Sequence, residues 1–197
     1  MAGDTIVLIT PVDNENNLFQ VKDIVPVELI DQILNTPWMN LPYAHRQGHS
    51  FLRRRQIDDA SIPWIDQWNQ CCQQVWPIIA EKLNIKIHNY MSSNDHPGTA
   101  WWVDEPRFTC EIHTDGEMPG AMQLFWIGSR LDLGTSFYNY KNSNTLRYQF
   151  PMQPNSGYIM INQENSQGFR KLQWHGMLTP VPANSFRLTS YTWITPQ

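Results

Sequence analysis

The chain changes its hydrophobic rhythm near its middle. In "VPVELIDQIL", apolar Leu29, Ile30, Ile33 and Leu34 recur at the spacing of one helix face, with Pro26 at the entry and Pro37 at the stop. A longer helix is predicted after Ser61, with Pro63 in its first turn. Along it Trp64, Trp68, Cys71, Val75, Ile79 and Leu83 repeat at three- and four-residue steps, and Pro77 is expected to kink or split it. The early run "TIVLIT" reads as a buried strand. From about Lys86 onward the pattern is short β-branched or aromatic runs separated by Gly, Pro, Asn and Asp: "IKIHNYM", "TAWWV", "RFTCEIH", "MQLFWIG", "TSFYNY", "LRYQF", "SGYIMIN", "RKLQWHG" and "SFRLTSYTWI". Helices first and many strands later predict a mostly β fold with supporting helices, a jelly-roll core packed against helical support. No repeat or linker divides the chain. The expectation is one domain over 1–197, with a helical N-terminal support region at 1–85 and a jelly-roll core at 86–197.

Composition adds constraints. A hydrophobic content of 41% and an aromatic content of 12% fit a packed chain, and the nine tryptophans can fill a core or line a pocket. Net charge is -4, so no global basic field recruits nucleic acid. Arg53-Arg54-Arg55 is the one basic cluster. The plain expectation is a solvated strand or loop near Asp58 and Asp59, with a small-anion contact as the functional alternative. The three cysteines, Cys71, Cys72 and Cys110, form neither a disulfide framework nor a zinc spacing, which fits reduced thiols in the cytoplasm. The first residues lack the basic start and long apolar stretch of a signal peptide, and no run approaches a membrane span.

The candidate chemistry sits in "EIHTDGEMPG". Two alternating strand positions share a face, so His113 and Asp115 can reach one ion together. Alone, the pair could equally close a strand at an Asp-Gly turn. His175 in "LQWHGMLTPVPANSFRLTSY" is the candidate third ligand, because early and late strands of a jelly roll are neighbours. His45, His49, His88 and His96 have no such partners and are read as non-ligands. Trp101 and Trp102 should point to opposite faces of a strand.

Taken in order, His113-Thr114-Asp115, His175 and then Arg187-Leu188-Thr189 resemble the Fe(II)- and 2-oxoglutarate-dependent dioxygenases. The resemblance covers roughly 86–197. "AMQLFWIGSRLDLGTSFYNY" resembles the family's strand, loop and Gly-containing return strand, and "FPMQPNSGYIMINQ" the segment before its distal histidine. The resemblance implies a double-stranded β-helix in which His113, Asp115 and His175 hold Fe(II). Two imidazoles and a carboxylate suit that ion and leave positions open for a 2-oxo acid and O2. It also implies that Arg187 binds the distal carboxylate of 2-oxoglutarate as co-substrate, with Thr189 on the same face adding a hydroxyl. The family's tyrosine after H-x-D finds no match around Phe125-Trp126. The implied reaction couples decarboxylation of 2-oxoglutarate to succinate with hydroxylation of a C–H bond. Asp115 argues against halogenation, which needs that coordination position for chloride. The expected substrate is a peptidyl residue, an amino acid or a small metabolite, and nucleic acid is disfavoured. The oligomeric state stays open. The alternative is a non-catalytic jelly-roll binding module carrying a structural metal or none.

Overall fold

The computed structural model describes residues 7–12, 17–44, 53–88, 99–115, 119–141, 145–164, 170–171 and 173–196. The chain begins with β1 (Leu8–Pro11) and β2 (Leu18–Lys22), followed by α1 (Val27–Asn35), β3 (Arg54–Gln56), α2 (Ile65–Leu83) and β4 (Ile85–His88). The strands β5 (Ala100–Asp104), β6 (Cys110–His113), β7 (Gly120–Ile127), β8 (Thr135–Tyr138), β9 (Leu146–Phe150) and β10 (Ser156–Ile161) come next. The last are β11 (Gln163–Glu164), β12 (Arg170–Lys171), β13 (Trp174–Met177) and β14 (Arg187–Pro196).

The helices form where the apolar stripe predicts them. Pro26 caps α1 and Glu28 lies in its first turn, where acidic charge suits the helix dipole. Leu29 and Ile33 are buried, and the Thr36 hydroxyl donates to the Gln32 carbonyl at 2.6 Å as the helix ends before Pro37. The second helix runs unbroken through Pro77 and stops at Asn84 in the left-handed region (φ 52°). Trp68, Cys71, Cys72, Val75 and Ile79 form its buried stripe.

An eight-stranded sheet runs β1-β2-β10-β7-β14-β5-β3, with β4 also pairing β14, and a four-stranded sheet runs β6-β13-β8-β9. Among the described residues every strand pairing is antiparallel. This is a mostly β double-stranded β-helix with two supporting helices. Three strands of the large sheet come from the N-terminal region, which sequence periodicity read as helical support. β1 is an edge strand with two exposed residues flanking the half-buried Ile9, not the buried strand expected of "TIVLIT".

Period-two alternation sorts the large sheet into two faces. Met122, Leu124, Trp126, Ile159, Trp101, Val103, Leu188 and Ile194 pack toward the helices. Trp101 is the hub there, with the rings of Trp38, Trp64, Trp68 and Trp126 centred 4.9–5.7 Å away. Much of the tryptophan content is therefore core. Phe125, Tyr158 and Met160 turn the other way, into the space between the sheets, where Phe137 and Phe150 meet them. Asp104, Gln123, Arg187, Thr189 and Tyr191 share that inner face by the same alternation. A cluster of polar side chains between two sheets is costly unless each finds a partner.

Candidate metal centre and its cavity

Antiparallel pairing of β6 with β13 sets His113 directly opposite His175, and their rings lie 4.5 Å apart. The register shifts by a bulge between His175 and Met177. Gly176 makes that close approach tolerable, since a Cβ there would lie 2.8 Å from the Cys110 carbonyl oxygen. Asp115, just past the end of β6, reaches between the two imidazoles. Its Oδ1 is 3.4 Å from His113 Nε2 and its Oδ2 is 3.6 Å from His175 Nε2. One ligand atom from each residue falls within 4.8 Å of the others.

The hydrogen bonds behind the rings fix which nitrogen faces inward. Nδ1 of His113 lies 2.8 Å from the Glu111 carbonyl and Nδ1 of His175 lies 2.9 Å from the Gln173 carbonyl. A carbonyl only accepts, so each Nδ1 donates and each Nε2 is directed at Asp115. Tyr191 completes the set by donating its hydroxyl to Asp115 Oδ2 at 2.6 Å. Burial would raise the Asp115 carboxyl, but His175, His113 and the Tyr191 hydroxyl hold it at about 2. Burial also opposes charge on His113, yet its bonds to Asp115 and Cys110 outweigh that and raise it to about 10. For His175 burial wins, and its pKa falls below the ordinary value. The Asp115 carboxylate thus faces two imidazole Nε2 atoms and one hydroxyl donor, a place where the positive charge of a proton or of a divalent cation is stabilised. Two inward Nε2 atoms and one carboxylate fit a ferrous ion as a two-histidine, one-carboxylate set.

These side chains open into a cavity of about 430 Å3, mouth included, that Arg54 and Arg187 also line. Arg187 is 1% exposed, and its Nη1 donates to Asp104 Oδ2 at 2.6 Å. Burial lowers its pKa, with Asp104 opposing that and Arg54 adding to it. Thr189 is buried on the same strand face, and its hydroxyl accepts a bond from Gln123 Nε2 at 3.3 Å. The Oε1 of Gln123 accepts from both Thr135 and Tyr158 at 2.9 Å. Gln123 lines the cavity, and Thr189 stands behind it. Phe125-Trp126 brings no hydroxyl to the cavity; Tyr158 on β10 and Tyr191 on β14 line it, with their hydroxyls donating to Gln123 and Asp115.

The expectation that all three arginines of the basic run are solvated is corrected. Alternation turns Arg54 inward to Asp104, while the half-buried Arg55 faces the other side of the strand and pairs with Glu105 at 2.8 Å. Trp101 and Trp102 do face opposite ways: the first is core and the second lines the cavity. The side chains of His45, His49, His88 and His96 lie outside the described residues. Asp104, Gln123, Tyr158 and Tyr191 were not singled out from the sequence, and Arg54 was named only within the basic run, as a solvated charge or a small-anion contact. Their signal was a polar residue on the inward phase of an otherwise apolar strand, readable only once that phase is known.

A wider cleft of about 1530 Å3, open side included, lies against His113. Arg53, Arg107 and Lys141 contribute positive charge to it, and Glu111 negative charge. Arg53 and Arg107 both hold left-handed backbone (φ 71° and 70°), which non-glycine residues adopt at a cost. Hydrogen bonds lock both turns: Glu105 N donates to Arg53 O at 2.8 Å, Arg53 Nη1 to Pro106 O at 3.1 Å, and Arg107 N to Val181 O at 2.7 Å.

No family model and no curated protein matches the sequence. Solved structures do match the fold. HygX from Streptomyces hygroscopicus, with nickel and 2-oxoglutarate bound, superposes with a TM-score of 0.58 at 9% identity over 95% of this chain and 88% of that one. The 2-oxoglutarate complex of the viral collagen prolyl hydroxylase from Paramecium Bursaria Chlorella virus-1 gives 0.58 at 11% identity, covering 95% of this chain and 100% of that one. A Pseudomonas putida prolyl-4-hydroxylase gives 0.53 at 12% identity, over 92% and 93% respectively. What this chain shares with these proteins is the fold, the double-stranded β-helix.

Proposed function

We propose that this chain is an Fe(II)- and 2-oxoglutarate-dependent oxygenase that hydroxylates a C–H bond of an amino acid, a peptidyl residue or a small metabolite. The observation that carries the reading is the convergence of His113 Nε2, His175 Nε2 and the Asp115 carboxylate in a cavity that also holds a buried arginine. The fold likeness to enzymes crystallised with 2-oxoglutarate supports it.

In this reading His113, Asp115 and His175 hold the ferrous ion, whose chemistry when bound is activation of O2 coupled to decarboxylation of the oxo acid. The carbonyls of Glu111 and Gln173 keep both imidazoles turned toward the ion. Tyr191 fixes the rotation of the carboxylate. Arg187 receives the distal carboxylate of 2-oxoglutarate, where its planar fork makes charge-assisted hydrogen bonds in a place water reaches poorly. Thr189 supports that wall through Gln123. The substrate enters by the cleft against His113, and the cations at its rim favour a molecule carrying negative charge.

Among the described residues, no helix is long and apolar enough to cross a membrane. Three buried free thiols suit a reducing, cytoplasmic setting. The test is oxygen-dependent formation of succinate from 2-oxoglutarate by the Fe(II)-loaded protein, screened against amino acids, proline-rich peptides and nucleosides. Turnover stimulated by an amino acid or peptide is the expected result. Absence of succinate under every condition, or stimulation by nucleosides alone, would overturn the assignment.

A further inference from the structure

Two arginines share one carboxylate beside the metal-ligand set, and only one of them has a role in the reading above. Asp104 on β5 is the register partner of Arg187 on β14 and of Arg54 on β3, so the three residues form a single rung across three strands. Asp104 is fully buried. Arg54 grips it with two bonds, Nε to Oδ1 at 2.5 Å and Nη2 to Oδ2 at 3.0 Å. Arg187 reaches the same Oδ2 through Nη1 at 2.6 Å, while its Nε is buried with no hydrogen-bond partner among the described residues. Aromatic rings hold Arg54 in place, with Phe108 4.4 Å and Trp102 5.3 Å from the guanidinium carbon. Both guanidiniums line the cavity that holds His113, Asp115 and His175.

Charge decides what this rung can do. Arg187 and Asp104 by themselves would be a neutral pair, and the aspartate would compete with any incoming carboxylate for the guanidinium. With Arg54 the rung carries two positive charges and one negative, a net of one positive charge in a site of low dielectric. We propose that Arg54 is a positioning residue for the oxo-acid co-substrate: by clamping and neutralising Asp104 it leaves Arg187 able to bind the distal carboxylate. This rests on the oxygenase reading and adds to it a residue from the N-terminal strand.

The test is equilibrium binding, measured by calorimetry on Ni(II)-loaded protein without turnover. Two probes are used: 2-oxoglutarate, and oxalate, which chelates metal but has no distal carboxylate arm. Arg54→Gln makes the rung neutral, and 2-oxoglutarate affinity should fall about 10- to 100-fold, the range of a lost charge-assisted interaction, while oxalate affinity changes little. The Arg54→Gln/Asp104→Asn double variant restores the single positive charge, and 2-oxoglutarate affinity should return close to wild type. A purely structural role for Arg54 would weaken both probes and would not be rescued. Unchanged 2-oxoglutarate binding in Arg54→Gln, equal loss of both probes, or no recovery in the double variant would overturn the proposal. If the single variant does not fold, the double variant decides: near-wild-type binding supports the proposal and a large loss overturns it. Wild-type protein that binds oxalate but not 2-oxoglutarate would defeat the oxygenase reading itself.

Discussion

Replacing Tyr191 by phenylalanine removes one oxygen and keeps the ring that packs edge-on against Trp193, 6.4 Å away. The oxygen it removes donates at 2.6 Å to Asp115 Oδ2, the same oxygen that faces His175. Hydrogen bonds to charged groups contribute about 1.5–3 kcal/mol, and the short distance and ionised acceptor place this one within that class. Asp115 is partly accessible, so water can replace some of the lost bond, and the net effect should be about 1–2 kcal/mol. That converts to about 5- to 30-fold in affinity, overlapping the lower part of the roughly 10- to 100-fold range seen when partners that orient metal ligands are removed. The assay is Mn(II) titration followed by the paramagnetic signal of the free aqua ion, comparing Tyr191→Phe with wild type. Thermal unfolding of the metal-free proteins, run in parallel, separates the cost to the fold from the cost to the metal site. Mn(II) affinity within twofold of wild type would refute the idea that Tyr191 orients the carboxylate.

Gly157→Ala should cost about 3 kcal/mol or more, or prevent folding, because its Cβ would sit 2.0 Å from the Gln123 carbonyl oxygen across the β10–β7 pair. Denaturant unfolding checks this, and a loss under 1 kcal/mol would contradict it. Trp101→Ala should destabilise by about 3–5 kcal/mol, since it removes the ring on which four other tryptophans converge, and a melting curve would show a large drop. Asp59 is raised to about 7 by burial and by neighbouring Asp58, against an ordinary value of 3.8. The folded state therefore holds a proton that the unfolded state releases, so stability falls as pH rises from about 4 to about 7. Asp59→Asn should match wild type near pH 4 and exceed it by about 1–2 kcal/mol at pH 8, after discounting for partial solvent screening. Equal stability of the two proteins at pH 8 would show that Asp59 carries no such penalty.

Much of this was legible in one dimension. The helix stripes at Leu29/Ile33 and Trp68–Ile79 are period signals, and packing honoured both. Pro77 failed to break its helix because the surrounding stripe is buried. The spacing of His113 and Asp115, and a histidine on a late strand, follow from strand periodicity and jelly-roll order. The Arg54–Asp104–Arg187 rung was not readable, because it depends on the register between three strands far apart in sequence. A run of three arginines looks like solvated charge until one knows that its middle member points inward. Tyr158 and Tyr191 escaped for the same reason. Each sits in an apolar run where a tyrosine reads as packing, and only tertiary pairing brings its hydroxyl to a polar partner.

The most direct measurement is anaerobic titration of Fe(II)-loaded protein with 2-oxoglutarate, followed in the visible range. The wild type should develop a metal-to-ligand charge-transfer band that saturates at one equivalent, and His113→Ala, Asp115→Ala and His175→Ala should each lose it while retaining the fold by circular dichroism. A wild type that stays featureless, or a His175→Ala variant that keeps the band undiminished, would contradict a single ferrous centre gripped from β6 and β13.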